Sequence, residues 1–260
     1  MDQLVVEGGR TNVHGVEIEL AREGKGKPML ILHGGSGPQP GAPYVKALAK
    51  SFDVLVPGHP GFGTSPLPAH FDHIDDLAYF YLDLMDALDL RDVRLMGFSL
   101  GGWLAMEIAV KSTARIAKLI LVDSVGIKVG GPTDRDIVDI FATAPDQLAK
   151  LMFHDPSKAP DPAKFTDEQA LIAGRNREAM AVYGWEPYLH DPKLKGRLHR
   201  IDVPTLVVWG ASDRLVTPSY GRALAGFIPG ARFVAIEAAG HGPNMEQPQK
   251  FVELVGGFAA

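Results

Sequence analysis

A serine among glycines, Gly97-Phe98-Ser99-Leu100-Gly101-Gly102, is the feature of this chain best suited to nucleophilic chemistry. It follows the apolar run Val93-Arg94-Leu95-Met96 and precedes a helical pattern from Trp103 to Val110. A serine on a tight strand-to-helix turn needs small neighbours, because the backbone is strained there and the chain packs closely on both sides. The amides that open the following helix point at the turn, where they can stabilise a developing oxyanion. Composition alone yields a G-x-S-x-G string in about one chain in ten of this length, so its place between strand and helix carries the weight.

Serine is a poor nucleophile at neutral pH, so this chemistry needs a histidine base and an acid to orient it. Nine histidines are available. His241, in Ala239-Gly240-His241-Gly242-Pro243, follows the last strand-like run, and its glycine neighbours would let the ring swing over a sheet edge. His33 and His59 also follow strands. His70 and His73 lie beside Asp72, Asp75 and Asp76, a set able in type to hold a metal, although acids at a helix start are accounted for by capping and the helix dipole. Two acids compete, each a loop carboxylate at the end of a strand: Asp123, and Asp213 in Trp209-Gly210-Ala211-Ser212-Asp213-Arg214. Asp213 stands between Ser99 and His241 in the chain and is preferred, which leaves Asp123 to pair with backbone amides. The turn His33-Gly34-Gly35-Ser36-Gly37-Pro38 exposes N–H groups, so that of Gly35 can join that of Leu100 as the second oxyanion donor. Neither this turn nor Gly58-His59-Pro60-Gly61-Phe62-Gly63-Thr64-Ser65 has the frame of a nucleotide-binding loop.

These residues must be held by a scaffold, and the apolar pattern supplies one. Short runs rich in Val, Ile and Leu alternate with longer amphipathic stretches, as in a mostly parallel sheet flanked by helices. Predicted strands are Val16 to Ala21, Pro28 to Leu32, Asp53 to Val56, Val93 to Gly97, Lys118 to Val122, Thr205 to Trp209 and Arg232 to Ile236; Ile74 to Leu88 reads as a helix. The alternation fails from about Gly126 to Arg200, where helical patches at Ile137 to Phe141, Leu148 to Phe153 and Glu168 to Val182 are separated by prolines. A helical insertion between two strands is the economical reading. Its aromatics Phe141, Phe153, Tyr183, Trp185 and Tyr188, with Phe98 beside the serine, are candidates to line an apolar pocket; packing of the insertion onto the sheet accounts for them equally well. Arg175 and Arg177 could meet a substrate carboxylate, though a solvated helix face is the plainer account.

Composition narrows the function classes. The chain has 260 residues, 26 Lys and Arg against 31 Asp and Glu, and no basic run, which argues against a nucleic-acid partner. Zero cysteines remove disulfides, thiolate metal sites and a cysteine nucleophile. The opening Met1-Asp2-Gln3-Leu4-Val5-Val6-Glu7-Gly8 carries an acid where a secretory signal carries Lys or Arg, and no apolar run nears the roughly 18 residues that cross a bilayer. A cytoplasmic protein with no membrane partner is expected. Oligomeric state is not legible.

HGGSGP, PGHPGFGTS, GFSLGG, WGASDRLV and GHGPNMEQP occur in an order and spacing that resemble the α/β-hydrolase superfamily over nearly the whole chain. The resemblance implies an α/β fold with an eight-stranded, mostly parallel sheet, a helical cap at 126–200 inserted after the sixth strand of a core at 1–125 and 201–260, and a Ser99, Asp213, His241 triad. The base comes last in chain order in that superfamily, which selects His241 over His33 and His59. Dehalogenases and epoxide hydrolases of this fold place Asp where Ser99 stands, so neither activity is expected. HGGSGP is similar to the turn in carbon–carbon hydrolases of ring-fission products, but those usually carry Asn at the position of Phe98 and a bulky residue at that of Gly242. The pattern around His241, with Glu246 and Pro248, resembles esterases and lactonases. The expectation is therefore a serine esterase acting on a small or medium carboxylic ester without metal or organic cofactor, with carbon–carbon cleavage or a slow-turnover ligand receptor as alternatives.

Overall fold

Each strand of a sheet covered on both faces must be apolar at successive residues, and that pattern is what the chain folds into. In the computed structural model, which describes residues 9–260, eight strands form one sheet. They are β1 (Arg10–Val13), β2 (Val16–Gly24), β3 (Lys27–Leu32), β4 (Phe52–Pro57), β5 (Val93–Phe98), β6 (Ile116–Val122), β7 (Thr205–Gly210) and β8 (Arg232–Ile236). Their order across the sheet is β1-β2-β4-β3-β5-β6-β7-β8, antiparallel at β1/β2 and β2/β4 and parallel from there on. The reading of Met1 to Gly8 lies outside the described residues.

Alternation within β3 shows how the two faces are filled. Leu30 and Leu32 enter one core with α2 (Ile74–Ala87), α3 (Leu100–Lys111) and α6 (Pro218–Phe227), while Met29 and Ile31 enter the other with α1 (Pro43–Leu48) and α8 (Pro248–Ala259), the helix that follows the single turn α7 (Pro243–Glu246). Both sets are buried, so the strand reads as one apolar run. Seven strands lie where the sequence places them. The eighth, β1, was missed because Arg-Thr-Asn-Val holds a single aliphatic residue; pairing with β2 buries Thr11 and Val13 and turns Asn12 outward.

Between β6 and β7 the chain departs from the sheet and forms α4 (Pro145–Met152), α5 (Asp167–Gly184) and 3-10 turns at Pro156–Lys158, Pro162–Lys164 and Leu194–Arg200. Thr166 and Gln169 cap α5 reciprocally, each side chain accepting the other's N–H. One expected helix is absent: Ile137 to Phe141 is a turn-containing loop in which Ile137 bridges Val216. Four apolar residues around Asp139 suit either outcome, and burial of Ile137 against the core decides it. No helix among the described residues is long and apolar enough to cross a membrane.

Since β4 lies on one side of β3 and β5 on the other, the crossovers diverge at β3. Sheets of this kind place their sites at the carboxyl ends of the strands beside such a point. Ser99, Asp123, Asp213 and His241 all lie in loops after β5, β6, β7 and β8 respectively.

Candidate active site

Ser99 occupies the turn from β5 into α3 with φ 50° and ψ −112°. A non-glycine residue held there costs about 1–3 kcal/mol and persists only where its surroundings over-determine it. They do so here. The Ser99 N–H donates to Val122 O at 2.9 Å, and its carbonyl accepts the N–H groups of Gly102 at 3.0 Å and Trp103 at 3.1 Å. A Cβ at Gly97 would stand 2.2 Å from Gly101 O, and one at Gly101 would stand 2.2 Å from Leu32 O, so the glycines allow strand, turn and helix to close on one another.

Asp213 is buried, and its carboxylate is divided between two tasks. Oδ1 accepts the N–H groups of Leu215 at 2.9 Å and Val216 at 3.0 Å, while Oδ2 accepts from His241 Nδ1 at 2.7 Å. The His241 proton on Nδ1 leaves Nε2 free to act as a base. Burial lowers the affinity of His241 for a second proton, but the charge and hydrogen bond of Asp213 outweigh it, and the net pKa is raised above the ordinary imidazole value.

Asp123 has a different fate. Its Oδ1 accepts the Gly210 N–H at 2.8 Å, as expected of a carboxyl that pairs with backbone, and its Oδ2 has no partner among the described residues. Burial, then the nearby charge of Asp213, push its pKa well above the carboxylate range. Asp123, Asp213 and His241 each bring a possible ligand atom within 4.8 Å of the others. The Asp213 oxygens are committed to two N–H groups and the imidazole, which is the donor set of an acid and base pair rather than of a metal centre. His73 and Asp76 fulfil the capping expectation: the Asp76 carboxylate accepts the N–H groups of Asp72 and His73.

The histidine loop is held by the segment between β6 and β7. The His241 N–H donates to Met152 O at 2.5 Å, and the Arg214 N–H to Leu151 O at 3.0 Å. Buried Glu246 accepts from Gly240 N–H at 2.6 Å, His154 N–H at 3.1 Å and Asp155 N–H at 3.0 Å. Gly240 therefore serves close packing, since a Cβ there would lie 2.0 Å from Met152 O.

Leu100 opens α3, where first-turn N–H groups lack an intrahelical acceptor. Gly35 follows β3, and among the described residues its N–H reaches no protein acceptor. The Met180 sulfur packs against Gly35, lying 2.1 Å from where a Cβ would be. Asn176, one turn earlier in α5, donates to Ser36 O at 2.9 Å and accepts the Gly63 N–H at 2.8 Å. Tyr183, on the same helical face, donates to Pro60 O at 3.0 Å and stacks on Phe62. Sequence reasoning missed Asn176 and Met180, whose partners lie more than a hundred residues away; a buried Asn in a mostly exposed helix leaves no local signal.

The candidate pocket residues divide four ways. Phe98 belongs with Tyr44 and Phe251 on the α1 and α8 side of the sheet, away from the other aromatics. Tyr183 packs the insertion onto the loop after β4. Phe141, Trp185 and Tyr188 form an outer cluster in which Trp185 is 55% exposed and Arg177 lies over the Phe141 ring, so Trp185 is not core and Arg177 is occupied. Phe153 is buried at the end of α4, and Arg175 is exposed.

The sequence model of the alpha/beta hydrolase family matches residues 29–254. A 2-hydroxymuconate semialdehyde hydrolase of Pseudomonas putida is 26% identical over 271 residues, covering 99% of this chain and 93% of the relative. Among solved structures, a meta-cleavage product hydrolase from Pseudomonas fluorescens superposes with a TM-score of 0.79 at 22% identity, covering 96% of this chain and 97% of that one. The enol-lactonase of Burkholderia xenovorans gives 0.77 at 25% identity, with 96% and 98% covered.

Proposed function

This chain belongs to the alpha/beta hydrolase family, and from that premise we propose that it is a serine hydrolase that cleaves a small or medium carboxylic ester through an acyl-enzyme. The observation that carries the reading is the strained Ser99 turn on the same sheet edge as an Asp213 and His241 pair bonded at 2.7 Å. Ser99 Oγ attacks the ester carbonyl while His241 Nε2 takes its proton, and Asp213 stabilises the imidazolium through Nδ1. The Leu100 and Gly35 amides receive the oxyanion. Collapse of the tetrahedral intermediate expels the alcohol, which takes the proton from His241; water then repeats the sequence on the acyl group. The insertion at 126–200 is the proposed cap. It meets the chemistry through the contacts of α4 with the histidine loop and of α5 with the Gly35 turn, so substrate shape is read by the elements that hold the site.

A second reading, cleavage of a carbon–carbon bond in a vinylogous diketone, draws support from relatives named for that chemistry that match over nearly the full chain. Against it, Phe98 puts an aromatic ring packed on Tyr44 and Phe251 where those enzymes usually carry an amide. Purified protein assayed with p-nitrophenyl esters of graded acyl length, lactones and a yellow ring-fission diketone separates the readings. Ester or lactone turnover is the expected result. Bleaching of the diketone without ester turnover would replace the ester reading with the carbon–carbon one, and tight binding with negligible rate would make the chain a receptor.

The protonation of His241 supplies a further expectation. Only the neutral imidazole can accept the serine proton, so kcat/KM should rise with pH through the His241 pKa and fall as acid protonates the ring. Because that pKa is raised by Asp213, the midpoint of the acid limb is expected above the ordinary value of about 6.5. A pH profile with its midpoint below that value would contradict the assignment of Asp213 as an ionised partner.

A further inference from the structure

His33 and His59, set aside as bases by chain order, form a buried pair with rings stacked at 3.7 Å between centroids. Their four ring nitrogens are all engaged. The His59 backbone N–H donates to His33 Nε2 at 3.0 Å, so that nitrogen carries no proton and the proton of neutral His33 sits on Nδ1, 2.7 Å from Gly34 O. His59 Nε2 lies 3.0 Å from His33 O, which can only accept, so Nε2 is the protonated nitrogen and Nδ1 accepts from Tyr81 Oη at 2.5 Å. Partners thus dictate opposite tautomers in the two rings. Burial agrees, lowering the His33 pKa to about 4 and that of His59 well below the imidazole range, so both are neutral at neutral pH.

We propose that Tyr81, His59 and His33 form a proton-ordered chain whose function is to hold the Gly34 carbonyl and thereby aim the Gly35 N–H into the oxyanion site. In a trans peptide the C=O of one residue and the N–H of the next point in opposite directions, so fixing the Gly34 oxygen fixes the Gly35 donor. Gly34 O also accepts the Gly37 N–H at 3.1 Å, and together the two donors pin a turn in which Ser36 is the one residue that is not glycine. Gly34 lies against the nucleophile, a Cβ there falling 3.2 Å from Ser99 Cβ, so a tilt of this peptide is felt at the reacting centre. Tyr81, His59 and His33 are positioning residues, since all three are buried and act through the Gly34 peptide. The proposal rests on the serine hydrolase reading for its consequence and on hydrogen-bond geometry for its content.

Two readouts test it separately. Histidine ring ¹⁵N spectra of the intact protein, assigned with His33→Asn and His59→Asn variants, should show His33 as the Nδ1–H tautomer and His59 as the Nε2–H tautomer, both uncharged at pH 7. Rates of fluorophosphonate labelling at Ser99 report the oxyanion site without knowledge of the substrate. Tyr81→Phe, which removes one hydroxyl, should slow labelling on the order of tenfold, less than the 10² to 10³ lost when an oxyanion donor is removed outright. His33→Leu should slow it further, and His33→Asn, whose amide N–H can still reach Gly34 O, should restore most of the loss. The Nε2–H tautomer at His33, or labelling of Tyr81→Phe and His33→Leu at the parent rate, overturns the chain. If His33→Leu does not fold, Tyr81→Phe and the tautomers still decide. Absence of labelling at Ser99 in the parent, with the tautomers as stated, strikes the serine reading and leaves the ordered chain standing as structure without that consequence.

Discussion

Ser99→Ala is expected to abolish covalent capture by a fluorophosphonate and to lower turnover by about 10⁴ to 10⁶. The loss is large because the acyl-enzyme route disappears, leaving only the oxyanion donors and binding to speed attack by water. The turn itself should survive. The N–H to Val122 and the carbonyl contacts to Gly102 and Trp103 are backbone bonds, and alanine at φ 50° meets much the same strain as serine. An unchanged melting temperature beside lost labelling would therefore locate the effect in the hydroxyl. Ser65 and Ser124 are both buried, so labelling that persisted after the substitution would have to be mapped by peptide mass, and a site other than Ser99 would sink the assignment.

The second large effect separates the two acids. Asp213 Oδ1 receives two backbone N–H groups, so an asparagine there must turn its only oxygen toward Leu215 and Val216 and its NH₂ toward His241. His241 Nδ1 is then forced to accept, the proton moves to Nε2, and the ring can no longer take one from Ser99. Asp213→Asn is expected to lower kcat by about 10⁴ with little change in fold. Asp123→Asn should cost no more than about tenfold, the size of a one-unit pKa change. Its amide oxygen keeps the Gly210 N–H, and an amide replaces a carboxyl whose charged form burial disfavours. Kinetics on the two variants, with melting temperatures beside them, decide the matter. The reverse ranking would move the orienting role to the loop after β6, and equal modest losses would mean that neither carboxyl orients the base.

Much of this molecule was determined by sequence alone, and for a local reason. Strands β3 to β7, buried on both faces, need successive aliphatic residues, and β2 and β8 at the flanks are short apolar or alternating runs, so seven strands and the order of loops between them are written in short windows. The turn around Ser99 is legible because its strain demands glycines at set offsets, and Asp213 and His241 are legible because each follows a strand and their chain order after Ser99 is that of the superfamily the sequence resembles. What lay beyond reach depends on contacts between distant segments. β1 owes its strand to a partner rather than to its residues. Asp123 and Asp213 both follow strands, and chain order favours Asp213, but all three carboxyls Asp123, Asp213 and Glu246 are buried; the partners around each give Asp123 the Gly210 amide, Asp213 the His241 ring and Glu246 a clamp on the histidine loop. The aromatics of the insertion likewise became an outer cluster and a packing contact rather than one pocket lining, because packing of α5 turned Asn176, Met180 and Tyr183 toward the glycine loops and left Trp185 at the surface. Composition and periodicity specify what each segment prefers when solvent and core compete for it; which neutral or charged partner it meets there is decided only when segments a hundred residues apart close on one another.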